Sequence, residues 1–164
     1  MERLFRQRME YLRSGDMPGC FLCEDASTDE FASNFLLFRS HLCLVVMNRF
    51  PYNSGHLLIS PRRHVGAMEE LTPEELTEVM SLTVRSIEAL KKAMTPEGFN
   101  VGANLGSAAG AGVPGHLHMH VVPRWSGDTN FMPVVGESKV LPEALEQTFE
   151  RLRPIFHPSP GQAD

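Results

Sequence analysis

The stretch His116-Leu117-His118-Met119-His120-Val121-Val122 decides how the rest of the chain is read. Polar and apolar residues alternate along it, the pattern of a strand with one buried face. Successive strand side chains point to opposite faces with a rise of about 3.3 Å, so the three imidazoles are expected on one face, about 6.6 Å apart. Leu117, Met119 and Val121 then turn to the core. A single strand histidine is usually a hydrogen-bonded polar group. Three of the chain's seven, spaced by two, ask for chemistry. Imidazoles on one strand can converge on zinc. A neutral imidazole can also attack phosphorus and leave again.

Upstream of this strand lies Gly106-Ser107-Ala108-Ala109-Gly110-Ala111-Gly112, a loop of bare N–H groups and little side-chain bulk. Such a loop can cradle a phosphate, which favours phosphoryl chemistry. Before it, Phe99, Val101, Ala103 and Leu105 alternate with small or polar residues and predict a strand. Thr72-Pro73-Glu74-Glu75 is a capping box, and the helix it opens ends at Thr95-Pro96. Leu76, Val79, Met80, Ile87 and Leu90 are its expected core face. Earlier still, Asn34–Arg39, Leu42–Asn48 and Gly55–Ser60 predict strands, the last two joined through Arg49–Ser54. Short helices are expected over Glu2–Arg13 and Pro142–Phe156, with a frayed tail from His157. Runs of neighbouring strands with unevenly placed helices predict an α+β fold with an antiparallel sheet of about five strands. We expect a single domain over 1–157 and a disordered tail over 158–164.

The 164 residues are 42% hydrophobic and 21% charged, with a formal net charge of −5, which sets wholesale disorder aside. The acidic balance argues against nucleic acid or an anionic membrane surface as the main partner. No apolar run approaches a spanning helix, and no apolar signal core opens the chain, so a cytoplasmic protein is expected. Three cysteines make no disulfide framework. Cys20 and Cys23 form a C-x-x-C, which in a reducing compartment means metal or redox chemistry. Cys43, in the apolar run Leu42–Val46, is read as a small buried hydrophobe.

The histidine strand, its glycine-rich loop and the following Pro123-Arg124 resemble the histidine triad superfamily of nucleotide hydrolases and transferases. Asn48-Arg49-Phe50-Pro51, Gly55-His56-Leu57-Leu58-Ile59 and Leu71-Thr72-Pro73-Glu74 are similar to further parts of that superfamily. Phe99–Gly106, Pro123-Arg124-Trp125 and Gly127–Phe131 resemble its bacterial diadenosine tetraphosphate phosphorylase and hydrolase branch. The resemblance implies a homodimer and a two-step reaction. His118 would attack the α-phosphorus, and inorganic phosphate or water would release the nucleotide. His120 would bind phosphate oxygens, Asn48 the ribose, and His56 would buttress the cluster. Asn104, the loop near Gly112 and a stacking Trp125 would complete the nucleotide site. Many members place a Ser, Thr or Gln shortly before the triad, whereas Gly112-Val113-Pro114-Gly115 offers no such side chain.

The same resemblance implies a structural zinc held by Cys20, Cys23, His64 and His116. The competing reading is a reduced, metal-free cysteine pair with His64 in solvent. Three other functions stay open: a zinc-stabilised nucleotide-binding module without turnover, a nucleoside phosphoramidase, and a metallohydrolase carrying its metal on all three triad histidines.

Overall fold

The computed structural model describes residues 19–128 and 143–157. The expected helix over 2–13 and the tail after 157 lie outside them. Five strands form one antiparallel sheet: β1 (Leu36–Arg39), β2 (Cys43–Met47), β3 (Leu57–Pro61), β4 (Gly98–Ala103) and β5 (Met119–Arg124), in the spatial order β1-β2-β3-β5-β4. The helices are α1 (Phe21–Ser27), α2 (Pro73–Met94) and α3 (Leu145–Phe156). This is the expected α+β architecture.

Strand alternation divides the sheet into two chemically different faces. Val45, Met47, Leu57, Ile59 and Val121 pack against Val79, Leu82 and Leu90 of α2 and against Phe149, Leu152 and Phe156 of α3. Leu44, Val46 and Leu58 face the other way and bury Leu22 and Ala26 of α1. His120 pairs with Leu58 on one side and Gly102 on the other, so it lies on the α1 face.

The capping box forms as expected: Thr72 Oγ1 accepts from the Glu75 N–H, and the Glu75 carboxylate accepts from the Thr72 N–H. Arg63 grips the same carboxylate with two nitrogens, at 3.0 and 2.9 Å, so Arg63 is a structural clip rather than a solvated loop residue. Arg62 likewise donates to the carbonyls of Ala26 and Ser40.

Three expectations need correction. Leu76 and Met80 are not core residues of α2; they are 44% and 47% exposed, and Thr83, Ser86 and Ala89 take the buried places with Val79, Leu82 and Leu90. The sheet accepts a stripe centred on Val79, Leu82 and Leu90, so the neighbouring stripe is turned past the edge of the sheet. His157 is not frayed: its Nε2–H donates to the Leu37 carbonyl at 2.8 Å. Finally, the histidine strand begins later than its alternation suggests. Only His120 belongs to the ladder, while His116 and His118 precede it. Pro61, which would face Leu117, has no N–H to donate, and the Ser60 hydroxyl takes the Leu117 carbonyl instead, at 2.8 Å.

Candidate functional site

Each imidazole's protonation pattern follows from its partners, because a carbonyl can only accept and a main-chain N–H can only donate. His118 Nδ1 lies 2.7 Å from the His116 carbonyl, so Nδ1 carries the proton and Nε2 carries the lone pair. Burial pulls the His118 pKa below its usual value and so favours the neutral ring, against the opposing effect of that carbonyl. His118 thereby has a nucleophilic nitrogen at neutral pH.

The neighbouring ring is set the opposite way. The Tyr52 N–H donates to His56 Nδ1 at 3.0 Å, and the Asn48 amide approaches the same atom at 3.3 Å. His56 therefore holds its proton on Nε2 and donates it to His120 Nδ1 at 2.9 Å. That leaves His120 with its proton on Nε2, a hydrogen-bond donor. Tyr52 also stacks on His120, with ring centroids 5.7 Å apart and planes 15° from parallel. His118 and His120 rings meet edge-on at 4.9 Å. A lone pair and an N–H thus stand side by side, which suits attack on phosphorus together with a hydrogen bond to a phosphoryl oxygen.

The loop over 48–56 that supplies His56 is built around that ring. Asn48 Oδ1 accepts from the Phe50 N–H at 2.9 Å, so Asn48 shapes the loop as well as lining it. Gly55 has φ +79°, and a Cβ there would lie 2.8 Å from Met94 Sδ and 2.9 Å from Leu90 Cδ2. Only glycine fits both the backbone angle and the space.

Of the other expected site residues, Asn104 follows β4 directly, where the register with β5 continues it opposite His118. Gly112 is exposed in the glycine-rich loop. Trp125, half-buried, follows β5 and donates its main-chain N–H to Asp128 Oδ2 at 3.1 Å.

His116 belongs to a second cluster. Its Nε2–H donates to the Pro61 carbonyl at 2.8 Å, which leaves Nδ1 as a lone pair facing Cys20 Sγ at 3.1 Å and Cys23 Sγ at 3.4 Å. His64 Nδ1 lies 3.2 Å from Cys23 Sγ. The four ligand atoms of Cys20, Cys23, His64 and His116 all lie within 4.8 Å of one another and could hold a metal ion. Tetrahedral zinc, with bonds of about 2.3 Å to sulfur and about 2.0 Å to nitrogen, spans edges of about 3.5 Å, so the donor set fits it. Burial and the adjacent Cys20 push the Cys23 thiol up to about 11, and a metal would displace that proton. The sequence brings these donors together through close backbone packing: a Cβ at Gly66 would lie 2.9 Å from the Pro114 carbonyl oxygen.

Sequence reading missed three residues. Asn53 is legible only as a turn residue of Arg49–Ser54 and Asp128 only within the Gly127–Phe131 run, while Tyr52 carries no signal of its own. Their roles depend on contacts between segments far apart in the chain, for which no local pattern exists.

The fold and the site define a class, proteins that carry a cluster of imidazoles on one face of an antiparallel α+β sheet. The HIT domain family model matches residues 30–127, and the chain belongs to this family. It is 48% identical over 110 residues to the AP-4-A phosphorylase of Mycobacterium tuberculosis (strain CDC 1551 / Oshkosh), an alignment covering 67% of this chain and 56% of that protein. It is 32% identical over 93 residues to the asymmetrical bis(5'-nucleosyl)-tetraphosphatase of Schizosaccharomyces pombe, covering 57% of this chain and 50% of the relative. The chain thus matches about half the length of these relatives. A Zn-bound histidine triad family protein from Mycobacterium smegmatis shares the fold, with TM-score 0.67 and 24% identity over 84% of this chain and 93% of that one. Among the described residues no helix is long and apolar enough to cross a membrane.

Proposed function

We propose that the protein cleaves dinucleoside polyphosphates, of the diadenosine tetraphosphate kind, at the α-phosphate through His118. The forced tautomer of His118 carries this reading. Its Nε2 lone pair forms a bond to the α-phosphorus while the bond from phosphorus to the bridging oxygen breaks, and the electron pair leaves with the polyphosphate. In the second step an oxygen of inorganic phosphate, or of water, forms the new bond to phosphorus and releases its proton to solvent. The phosphorus–nitrogen bond breaks, and its electron pair returns to Nε2. His120 Nε2–H holds a phosphoryl oxygen through both steps, and N–H groups near Gly112 stabilise the developing charge. Asn48 and Trp125 bind ribose and base, and Asn104 lies beside the phosphate. The likeness to a mycobacterial AP-4-A phosphorylase supports this substrate class.

The stretch Gly112-Val113-Pro114-Gly115, which has no side-chain hydroxyl or amide, favours a polyphosphate over a phosphoramidate. A polyphosphate departs as a stable anion, whereas an amine needs a proton delivered as it leaves.

Zinc on Cys20, Cys23, His64 and His116 would have all four positions filled by protein and would tie α1 and the His64 loop to the start of the histidine segment. A homodimer is supported by the apolar residues left outside. Leu76, Met80 and Val84 on α2 are 44%, 47% and 53% exposed, with Val101 and Leu105 at or just beyond the edge strand β4 at 45% and 49%. Leu76 and Ala103 line one small cavity, so the two groups adjoin.

Incubation with diadenosine tetraphosphate, with and without inorganic phosphate, followed by anion-exchange separation tests the reading. ATP and ADP formed only with phosphate identify a phosphorylase; ATP and AMP without it identify a hydrolase. Binding without cleavage, or cleavage that survives His118→Ala, overturns the proposal.

A further inference from the structure

Asp128 carries a carboxylate that is only 9% exposed, at the end of the turn that follows β5. Its Oδ2 accepts from Asn53 Nδ2 at 2.8 Å, Arg124 Nε at 2.6 Å and the Trp125 N–H at 3.1 Å, and its Oδ1 accepts from Arg124 Nη2 at 2.7 Å. Arg124 is held again on Nη1 by Asn100 Oδ1 at 2.6 Å. A carboxylate so bonded is among the strongest and most directional anchors a protein can build. Arg124 and Trp125 belong to the same turn as Asp128. Asn53 does not: it lies 75 residues away in sequence, in the loop that carries His56.

That long-range bond closes a ring of contacts. Asn53 is buried, and its amide also donates to the Pro123 carbonyl at 3.0 Å. The Asn53 carbonyl accepts the His56 N–H at 3.2 Å. His56 Nε2–H reaches His120, which lies on β5 upstream of Asp128. The loop is therefore bridged to the β5 segment twice, once through the imidazoles and once through Asn53. Between the bridges runs the rigid ladder of β5. A carboxylate serving only its own turn would need nothing from Asn53, whose amide already has the Pro123 carbonyl.

We infer that Asp128 is a positioning residue, which holds the 48–56 loop against β5 through Asn53 and so sets the alignment of His56 with His120. What the aligned pair acts on rests on the proposed function; the alignment itself does not.

The test uses the full chain as purified and the variants Asp128→Ala, Asp128→Asn, Asn53→Ala and the double Asp128→Ala/Asn53→Ala. Long-range proton–nitrogen spectra of the imidazoles report each tautomer without any substrate. Asp128→Ala and Asn53→Ala are expected to turn the single-tautomer signals of His56 and His120 into exchanging ones, with those of His118 unchanged. Asp128→Asn, which keeps an oxygen for Asn53, restores most of the wild-type pattern. With diadenosine tetraphosphate, kcat falls by about ten- to a hundredfold in either single variant, and the double loses no more than one single. Unchanged imidazole signals beside a lowered melting temperature overturn the inference, as do fully additive losses. If Asp128→Ala does not fold, Asn53→Ala and Asp128→Asn decide by the same spectra. If the wild type cleaves no dinucleotide, the proposed function fails, while the spectra still decide the role of Asp128.

Discussion

The Nδ1–H of His118 donates to the main-chain carbonyl of His116 at 2.7 Å, so a metal-ligand candidate fixes through its backbone the tautomer of its neighbour two residues on. The lone pair of His118 Nε2 therefore depends on the main-chain path between them, and His118 itself is replaceable only by another imidazole. His118→Gly should lose turnover by about a thousandfold or more. Imidazole added to the solution should restore a measurable part of it, read as nucleotide products by anion exchange. Loss without rescue would point to a collapsed site rather than a missing nucleophile.

Metal removal should act on stability before chemistry. Chelation, or Cys23→Ala, is expected to remove about 3 kcal/mol and lower the melting temperature by about 10 °C. Calorimetry with metal analysis of the same samples checks it. A chelated protein that melts unchanged would mean that the four residues hold no structural ion.

Cys43 should be silent toward thiol reagents while the protein is folded. It is fully buried, and burial pushes its thiol up to about 12 from an ordinary 9.0, with Glu78 and Glu75 adding to the rise. A raised folded-state pKa binds the proton more tightly when folded, so this contribution to stability is complete below pH 9.0 and fades as pH rises toward 12. Cys43→Ala should accordingly flatten the alkaline loss of stability, measured by denaturant unfolding at pH 8 to 11 against the wild type.

Arg85 ties two helices together far from the imidazoles. Its guanidinium donates to the Phe156 carbonyl at 2.8 Å and lies 4.2 Å over the Phe38 ring. Arg85→Ala should cost about 2 kcal/mol from the lost helix-end bond and cation–π contact. Turnover at low temperature should remain that of the wild type.

Met80→Glu and Val84→Glu should convert a dimer to monomers in sedimentation experiments, because each places a charge on the exposed stripe beside β4. A wild type that sediments as a monomer, or variants that stay paired, would refute that interface.

Local patterns made most of the fold legible. The Thr72–Glu75 box, the alternation in Phe99–Ala103 and the apolar run Cys43–Met47 each specify their own element, and the structure places all three as expected. Cys20-x-x-Cys23 was legible by itself only as metal or redox chemistry; His64 and His116 joined it through the family resemblance, because they lie 41 and 93 residues beyond Cys23 and only the fold brings them to it. The face of α2 was not, since periodicity marks two adjacent apolar stripes at Leu76–Met80 and Val79–Leu90 and only the sheet selects between them. The start of β5 was missed for a similar reason: His116 and His118 continue the alternation, but Pro61 on the partner strand denies them a ladder. Asp128 stood in the Gly127–Phe131 run, but its bond to Asn53 was invisible because that partner comes from a distant loop.

The alternation of Leu117, Met119 and Val121 with His118 and His120 has one last consequence, for which kinds of sequence change this segment can tolerate. Point substitutions alter one face at a time. An insertion or deletion of a single residue between Leu117 and Val121 would instead exchange the two faces, sending imidazoles into the apolar core and aliphatic side chains into the site. Libraries that allow length changes should therefore recover none within this segment, while accepting them in exposed loops such as that around Gly110.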